Sequence, residues 1–124
     1  MNVLVDTSVW INHFRCNDRH LIALLRENQV LMHVMVIGEL ACGNTKDRAK
    51  MLSYLRALPR LPEAQTEDVI DYIENRKLMR KRIGLIDAHL LHATEIRDNT
   101  KLWTKDESLH FAAKELGIGY FQNS

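Results

Sequence analysis

The chain has 124 residues, 46% of them hydrophobic, and a formal net charge of +1. That suits one compact domain over residues 1–124 with a real core, and it excludes a global electrostatic pull toward polyanions. No apolar run is long enough to span a bilayer, the N-terminus reaches Asp6 too soon for a signal-peptide core, and Cys16 and Cys42 make neither a metal-ligand pattern nor a disulfide framework, so reduced thiols, a cytoplasmic setting and no membrane association are expected.

Residues 2–5 are a short apolar run that stops at Asp6-Thr7-Ser8, all good helix N-cap types. A helix should follow, with Val9, Trp10, His13 and Phe14 on one face. A second helical stretch over 21–26 closes at Glu27-Asn28-Gln29. Branched residues over 30–34 predict a second strand, and 37–42 begins another helix that breaks at Gly43-Asn44. Residues 48–58 are amphipathic until Pro59 and Pro62 interrupt them. Thr66 is placed to cap a long helix to about Arg82, with Val69, Ile70, Ile73 and Met79 at helical spacing, and Gly84 ends it. Leu85-Ile86-Asp87 opens the next helix, whose apolar face is His89, Leu90, Ala93 and Ile96. Residues 101–104 read as a strand, 107–116 as a helix ending at Gly117, and 118–121 as a last strand. Strands separated by helices predict an α/β fold, a parallel sheet of about four to five strands flanked by helices.

In open α/β sheets, ligands bind outside the carboxyl ends of the strands. Asp6 ends the first strand there, Asp106 follows the strand over 101–104, Glu39 lies just past the second strand, and Asp87 opens a helix. Asp6, Asp87 and Asp106 each also stand where an N-cap is expected. Glu39 has no such role, since it sits between Val36-Ile37 and Leu40-Ala41, where an unpaired carboxylate is costly. Crowded carboxylates repel one another and lose hydration, so they hold protons or a cation. Mg²⁺ prefers oxygen ligands, and such an ion activates water and stabilises a phosphate under in-line attack. No serine or cysteine triad is evident.

Other residues carry weaker signals. Arg76, Lys77, Arg80, Lys81 and Arg82 crowd just before Asp87, downstream of Glu67, Asp68, Asp71 and Glu74. This reads either as a solvated helix complementing its own dipole or as a phosphate-binding edge, with Arg76, Arg80, Lys81 and Arg82 as contacts to a nucleic-acid backbone. His89 and His92 stand at i,i+3 spacing, a zinc pair only if a third ligand approaches. Trp10 and Trp103 offer base stacking, but their apolar neighbours favour core packing.

Four ordered segments carry a family resemblance. Val3-Leu4-Val5-Asp6-Thr7-Ser8-Val9-Trp10-Ile11 resembles the opening motif of PIN-domain ribonucleases of the VapC toxin type. Val36-Ile37-Gly38-Glu39-Leu40 resembles the segment with the family's glutamate, and Ile83-Gly84-Leu85-Ile86-Asp87-Ala88-His89-Leu90-Leu91 the segment with its third acidic residue. Leu102-Trp103-Thr104-Lys105-Asp106 resembles its closing Thr-x-Asp. The resemblance implies a PIN fold, an acidic pocket holding Mg²⁺ or Mn²⁺, and endonucleolytic cleavage of RNA, a transfer RNA or a ribosomal RNA. It also implies a type II toxin–antitoxin pair: a VapB-like cognate antitoxin that blocks the groove, repression of the pair's operator DNA through the complex alone, and a homodimer. Asp6, Glu39, Asp87 and Asp106 would then be both the metal ligands and the catalytic set, with Thr7, Ser8 and Thr104 as hydrogen-bonding partners that orient the carboxylates.

Three rivals make different demands. A phosphoacceptor receiver-like signalling domain wants an adjacent acidic pair after the first strand and an aspartate ending a third strand near mid-chain, but Asp6 is followed by Thr7-Ser8 and residues 51–61 hold no aspartate. A PIN-like RNA-binding module without catalysis is at odds with the intact acidic quartet. A haloacid-dehalogenase-type phosphatase wants Asp-x-Asp, and residue 8 is serine.

Overall fold

Strand β1 (Asn2–Val5) is almost wholly apolar because it runs through the middle of the sheet, with Val3, Leu4 and Val5 buried. A computed structural model describes residues 1–121. β2 (Val30–Leu31) and β3 (Thr100–Trp103) flank β1 in the order β2-β1-β3, both parallel to it. Parallel neighbours require crossovers, here helical: α1 (Thr7–Cys16) and α2 (Arg19–Arg26) lead to β2. Then α3 (Val34–Cys42), α4 (Arg48–Ala57), α5 (Thr66–Arg76) and α6 (Leu85–Glu95) lead to β3, and α7 (Glu107–Glu115) follows. The carboxyl ends of all three strands therefore share one edge.

The core is one cluster joining the strands to Val9 and Trp10 of α1, Leu21 of α2, Val36 and Leu40 of α3, Leu90 and Leu91 of α6 and Leu109 of α7. α3 packs with α1 and α4, while α6 packs with α5 and β3. Among the described residues, no helix is long and apolar enough to cross a membrane.

The α/β expectation holds, with differences at the edges. The strand expected over 30–34 stops at Leu31, and α3 starts at Val34. His33 caps it, its ring Nδ1 accepting the Met35 N–H at 3.0 Å. The strand expected over 118–121 is a single parallel bridge from Gly119 to Leu102, and the opposite edge gains a bridge between Met32 and Arg60. The sheet thus has three strands, each outer edge lengthened by one bridge, where four to five strands were expected.

The long helix expected over 66–82 is two elements. Gln65, not Thr66, holds the cap position, and α5 ends at Arg76. Lys77 is left-handed (φ 56°) and its N–H closes onto Ile73 and Glu74, after which Leu78–Arg80 form a 3₁₀ turn anchored by buried Leu78. The acidic and basic stretches therefore do not share one helix dipole. Ile70, Met79 and Ile96, expected on apolar faces, are exposed, as is part of Phe14.

Candidate active site

The register of β1 and β3 pairs Val5 with Trp103, so Asp6 and Thr104 leave the sheet side by side. The Asp6 N–H still donates to the Trp103 carbonyl at 2.9 Å. Asp6 occupies the N-cap position of α1, yet its side chain makes no capping hydrogen bond. Oδ2 instead accepts the Thr104 hydroxyl at 2.6 Å and the Ser8 hydroxyl at 2.8 Å. Each hydroxyl in turn accepts a main-chain N–H: Asp106 donates to Thr104 Oγ1 at 3.0 Å, and Lys105 to Ser8 Oγ at 2.9 Å. An amide can only donate, so both hydroxyl protons are directed toward the carboxylate. Asp6 is 5% exposed, and a carboxylate this buried needs such partners. Neither hydroxyl consumes Oδ1.

Glu39 sits in the second turn of α3, half-buried, and its Oε1 accepts the Thr7 hydroxyl at 2.7 Å. Thr7 is the first residue of α1, so one hydrogen bond ties the start of α1 to the middle of α3. Asp87 is the third residue of α6, and its Oδ2 accepts the Gly84 N–H at 3.3 Å, the reaching-back half of a capping box. Asp106 is exposed and caps α7, its Oδ1 accepting the Leu109 N–H at 3.0 Å. The capping alternative is therefore real for Asp106, partial for Asp87 and unused by the side chain of Asp6.

The four carboxylates act on one another. Burial raises the Asp87 carboxyl from an ordinary 3.8 to about 6, with the charges of Asp6, Asp106 and Glu39 adding to the rise and the Gly84 N–H opposing it. One acidic group thus feels the other three. They do not close into a finished ligand shell: among the described residues, no three His, Cys, Asp or Glu side chains are arranged to hold a metal ion.

The model of the family described as PIN domain matches residues 3–115. The chain belongs to the PIN-domain family. This PIN domain is 37% identical over 116 residues to the protein named Ribonuclease VapC32 of Mycobacterium tuberculosis, in strains CDC 1551 and H37Rv, over 94% of each chain. It is of the VapC ribonuclease type. PAE2754 from Pyrobaculum aerophilum superposes with a TM-score of 0.66 at 16% identity, over 92% of this chain and 86% of that one. FitAcB from Neisseria gonorrhoeae gives 0.62 at 19% identity, over 97% and 96%. At those identities the two structures speak for the fold alone.

The PIN domain disposes of the weaker signals unequally. Arg76 pairs with Glu95 at 2.5 Å and Lys81 with Glu115 at 2.9 Å, so two of the four expected RNA cations are already engaged. Arg80 and Arg82 are exposed. Trp10 and Trp103 are buried, which decides for core packing. A third histidine, His33, does approach His89, their ring centroids 6.3 Å apart. Its Nδ1 accepts a main-chain N–H, so its Nε2 carries the proton of the neutral ring and has no lone pair for zinc. Both cysteines are free and exposed.

Sequence reading missed a groove of about 530 Å³ that opens at Glu39, between α1 and the segment joining α3 to α4. Its cations, Arg15 and Lys46, lie far apart in sequence and share the groove only because α1 packs against α3.

Proposed function

We propose that this PIN domain is a metal-dependent endoribonuclease, the toxin of a type II pair, with Asp6, Glu39, Asp87 and Asp106 as its metal-binding and catalytic set. The observation that carries the reading is Asp6, buried at the end of the central strand with Oδ2 held by Ser8 and Thr104 and Oδ1 left free by both, in a chain of the VapC ribonuclease type. Four hard oxygen donors at one sheet edge suit Mg²⁺, with Mn²⁺ a compatible substitute. A bound divalent ion supplies charge stabilisation at the phosphate and lowers the pKa of water beside it.

The protein's own residues do the rest. Ser8 and Thr104 fix the Asp6 carboxylate in one orientation through Oδ2, leaving Oδ1 available. Thr7 holds Glu39 toward the same edge. Asp87 must be ionised to bind a cation, so proton and metal compete for it. Asp106, committed through Oδ1 to its helix, presents Oδ2.

On the same reading the substrate is a transfer RNA or ribosomal RNA, the inhibitor is a VapB-like antitoxin, operator DNA is bound only through that complex, the toxin is a homodimer, and it works in the cytoplasm. The test is cleavage-site mapping on total RNA with wild type and Asp6→Asn, each with Mg²⁺ and with a chelator. Cleavage by wild type with Mg²⁺ alone is expected. Equal cleavage by folded Asp6→Asn would overturn the site, and RNA binding with no cleavage under any condition would favour the silent RNA-binding module.

A further inference from the structure

The groove that opens at Glu39 has walls of unlike chemistry. One side carries Phe14, 41% exposed, and Arg15 from α1, while the other carries Lys46 and Met51. Among the described residues, neither Arg15 nor Lys46 is in an ion pair, which sets them apart from Arg76 and Lys81. The only acidic group on the lining is Glu39 itself, at the end toward the proposed catalytic edge. The groove therefore grows more positive away from the carboxylates, a polarity suited to a polyanion whose scissile phosphate lies at the acidic end.

Both walls are held in place. Phe14 packs on buried Trp10, ring centroids 5.9 Å apart, and on His13 at 6.0 Å, so one aromatic surface is fixed and another left open. Across from it, Arg48 at the start of α4 donates to the Ala41 carbonyl at 2.7 Å and the Gly43 carbonyl at 2.5 Å. The Thr45 hydroxyl donates to Met51 Sδ at 3.5 Å. These bonds pin the segment that presents Lys46. A volume of about 530 Å³ lies within the roughly 300–1,000 Å³ of small-ligand sites.

We propose, on the ribonuclease reading above, that this groove is a subsite for single-stranded RNA flanking the cleaved phosphate, with a base stacked on Phe14 and backbone phosphates on Arg15 and Lys46. Stacking on an aromatic ring tolerates any base, and lone cations contribute mainly through release of counterions. The subsite therefore adds affinity and position, and sequence choice is left to other contacts.

Anisotropy of a fluorescein-labelled single-stranded RNA oligonucleotide, in chelator and across a salt series, tests this on the full chain. The double variant Arg15→Gln, Lys46→Gln should lower the slope of log affinity against log salt by about 1.4, two phosphates at about 0.7 each. Phe14→Ala should weaken binding about tenfold and leave the slope unchanged. All three side chains are exposed, and thermal melting checks that the variants fold. Unchanged affinity and slope in both, with wild type still binding and cleaving, would overturn the subsite, leave the ribonuclease reading standing, and give the groove to a protein segment instead. Wild-type protein that binds RNA with these dependences but never cleaves it would sink the ribonuclease reading while the subsite stands.

Discussion

Thr104 gives its hydroxyl proton to Asp6 and takes the N–H of Asp106, so a single side chain joins the first and last acidic residues of the set. A methyl in place of that hydroxyl removes both bonds at nearly constant volume. Thr104→Val is expected to keep the fold, weaken Mg²⁺ binding and slow RNA cleavage by about 10–100-fold, the usual cost of losing a partner that orients a metal-binding carboxylate. Isothermal titration with Mg²⁺ and single-turnover cleavage check it. Serine at 104 should restore most of both, whereas loss of cleavage with unchanged Mg²⁺ affinity would remove Thr104 from the orienting role.

Asp87 carries the clearest conflict between stability and function. Its folded pKa, about 6, exceeds the ordinary 3.8, so the folded metal-free protein binds the proton more tightly than the unfolded chain does. Its contribution is fully present below pH 3.8 and is lost as pH rises through 6. Asp87→Asn should therefore stabilise the metal-free protein at pH 7.5 by about 1 kcal/mol, a figure reduced for the partial exposure of the group, while abolishing cleavage. Chemical denaturation in chelator measures the first effect. A variant less stable than wild type there would mean that Asp87 is not under electrostatic stress.

His33 sets a limit on acid stability. Burial chiefly, then the neighbouring His89, lowers its pKa from 6.5 to about 4, against the opposing pull of Glu63. Between those values the unfolded chain binds a proton that the folded one refuses. Stability therefore falls as pH drops from 6.5 to 4, by about 3 kcal/mol from this group. His33→Asn keeps a side-chain acceptor at the start of α3 and should flatten that part of the profile. Urea unfolding at pH 4.5 and 7 shows whether the difference shrinks.

Arg48 ties α4 to the carbonyl end of α3, the helix that carries Glu39. Arg48→Ala frees two carbonyls at an exposed site, so the stability cost should be modest, about 1 kcal/mol. KM for RNA should rise more than kcat falls, because the loosened segment walls the groove and does not touch the carboxylates. Steady-state kinetics separate the two, and a fall in kcat alone would place the effect at Glu39.

The central strand and the ends of most helices were legible because their signals are local. An apolar run meeting Asp6-Thr7-Ser8, a glycine at 84 before Asp87, and a Trp-Thr-Lys-Asp sequence each announce a boundary. What stayed hidden depends on less usual residues in those roles. His33 caps α3 although histidine is not a common capping type, and Lys77 turns left-handed without glycine to mark it. Motif order singled out the acidic quartet, but which hydroxyl serves which carboxylate is a matter of strand register. The groove was illegible because Phe14, Arg15 and Lys46 meet only after α1 and α3 pack together.

The strand order has a consequence for when the protein becomes dangerous to its maker. β1 is made before the two strands that flank it, and β3 arrives with residues 100–103. Until then Asp6 lacks the Thr104 hydroxyl, and Asp106 has not been synthesised. On the ribonuclease reading, a nascent chain has no assembled cutting edge until β3 and Asp106 have left the ribosome, so before then it cannot attack RNA of the machine that makes it.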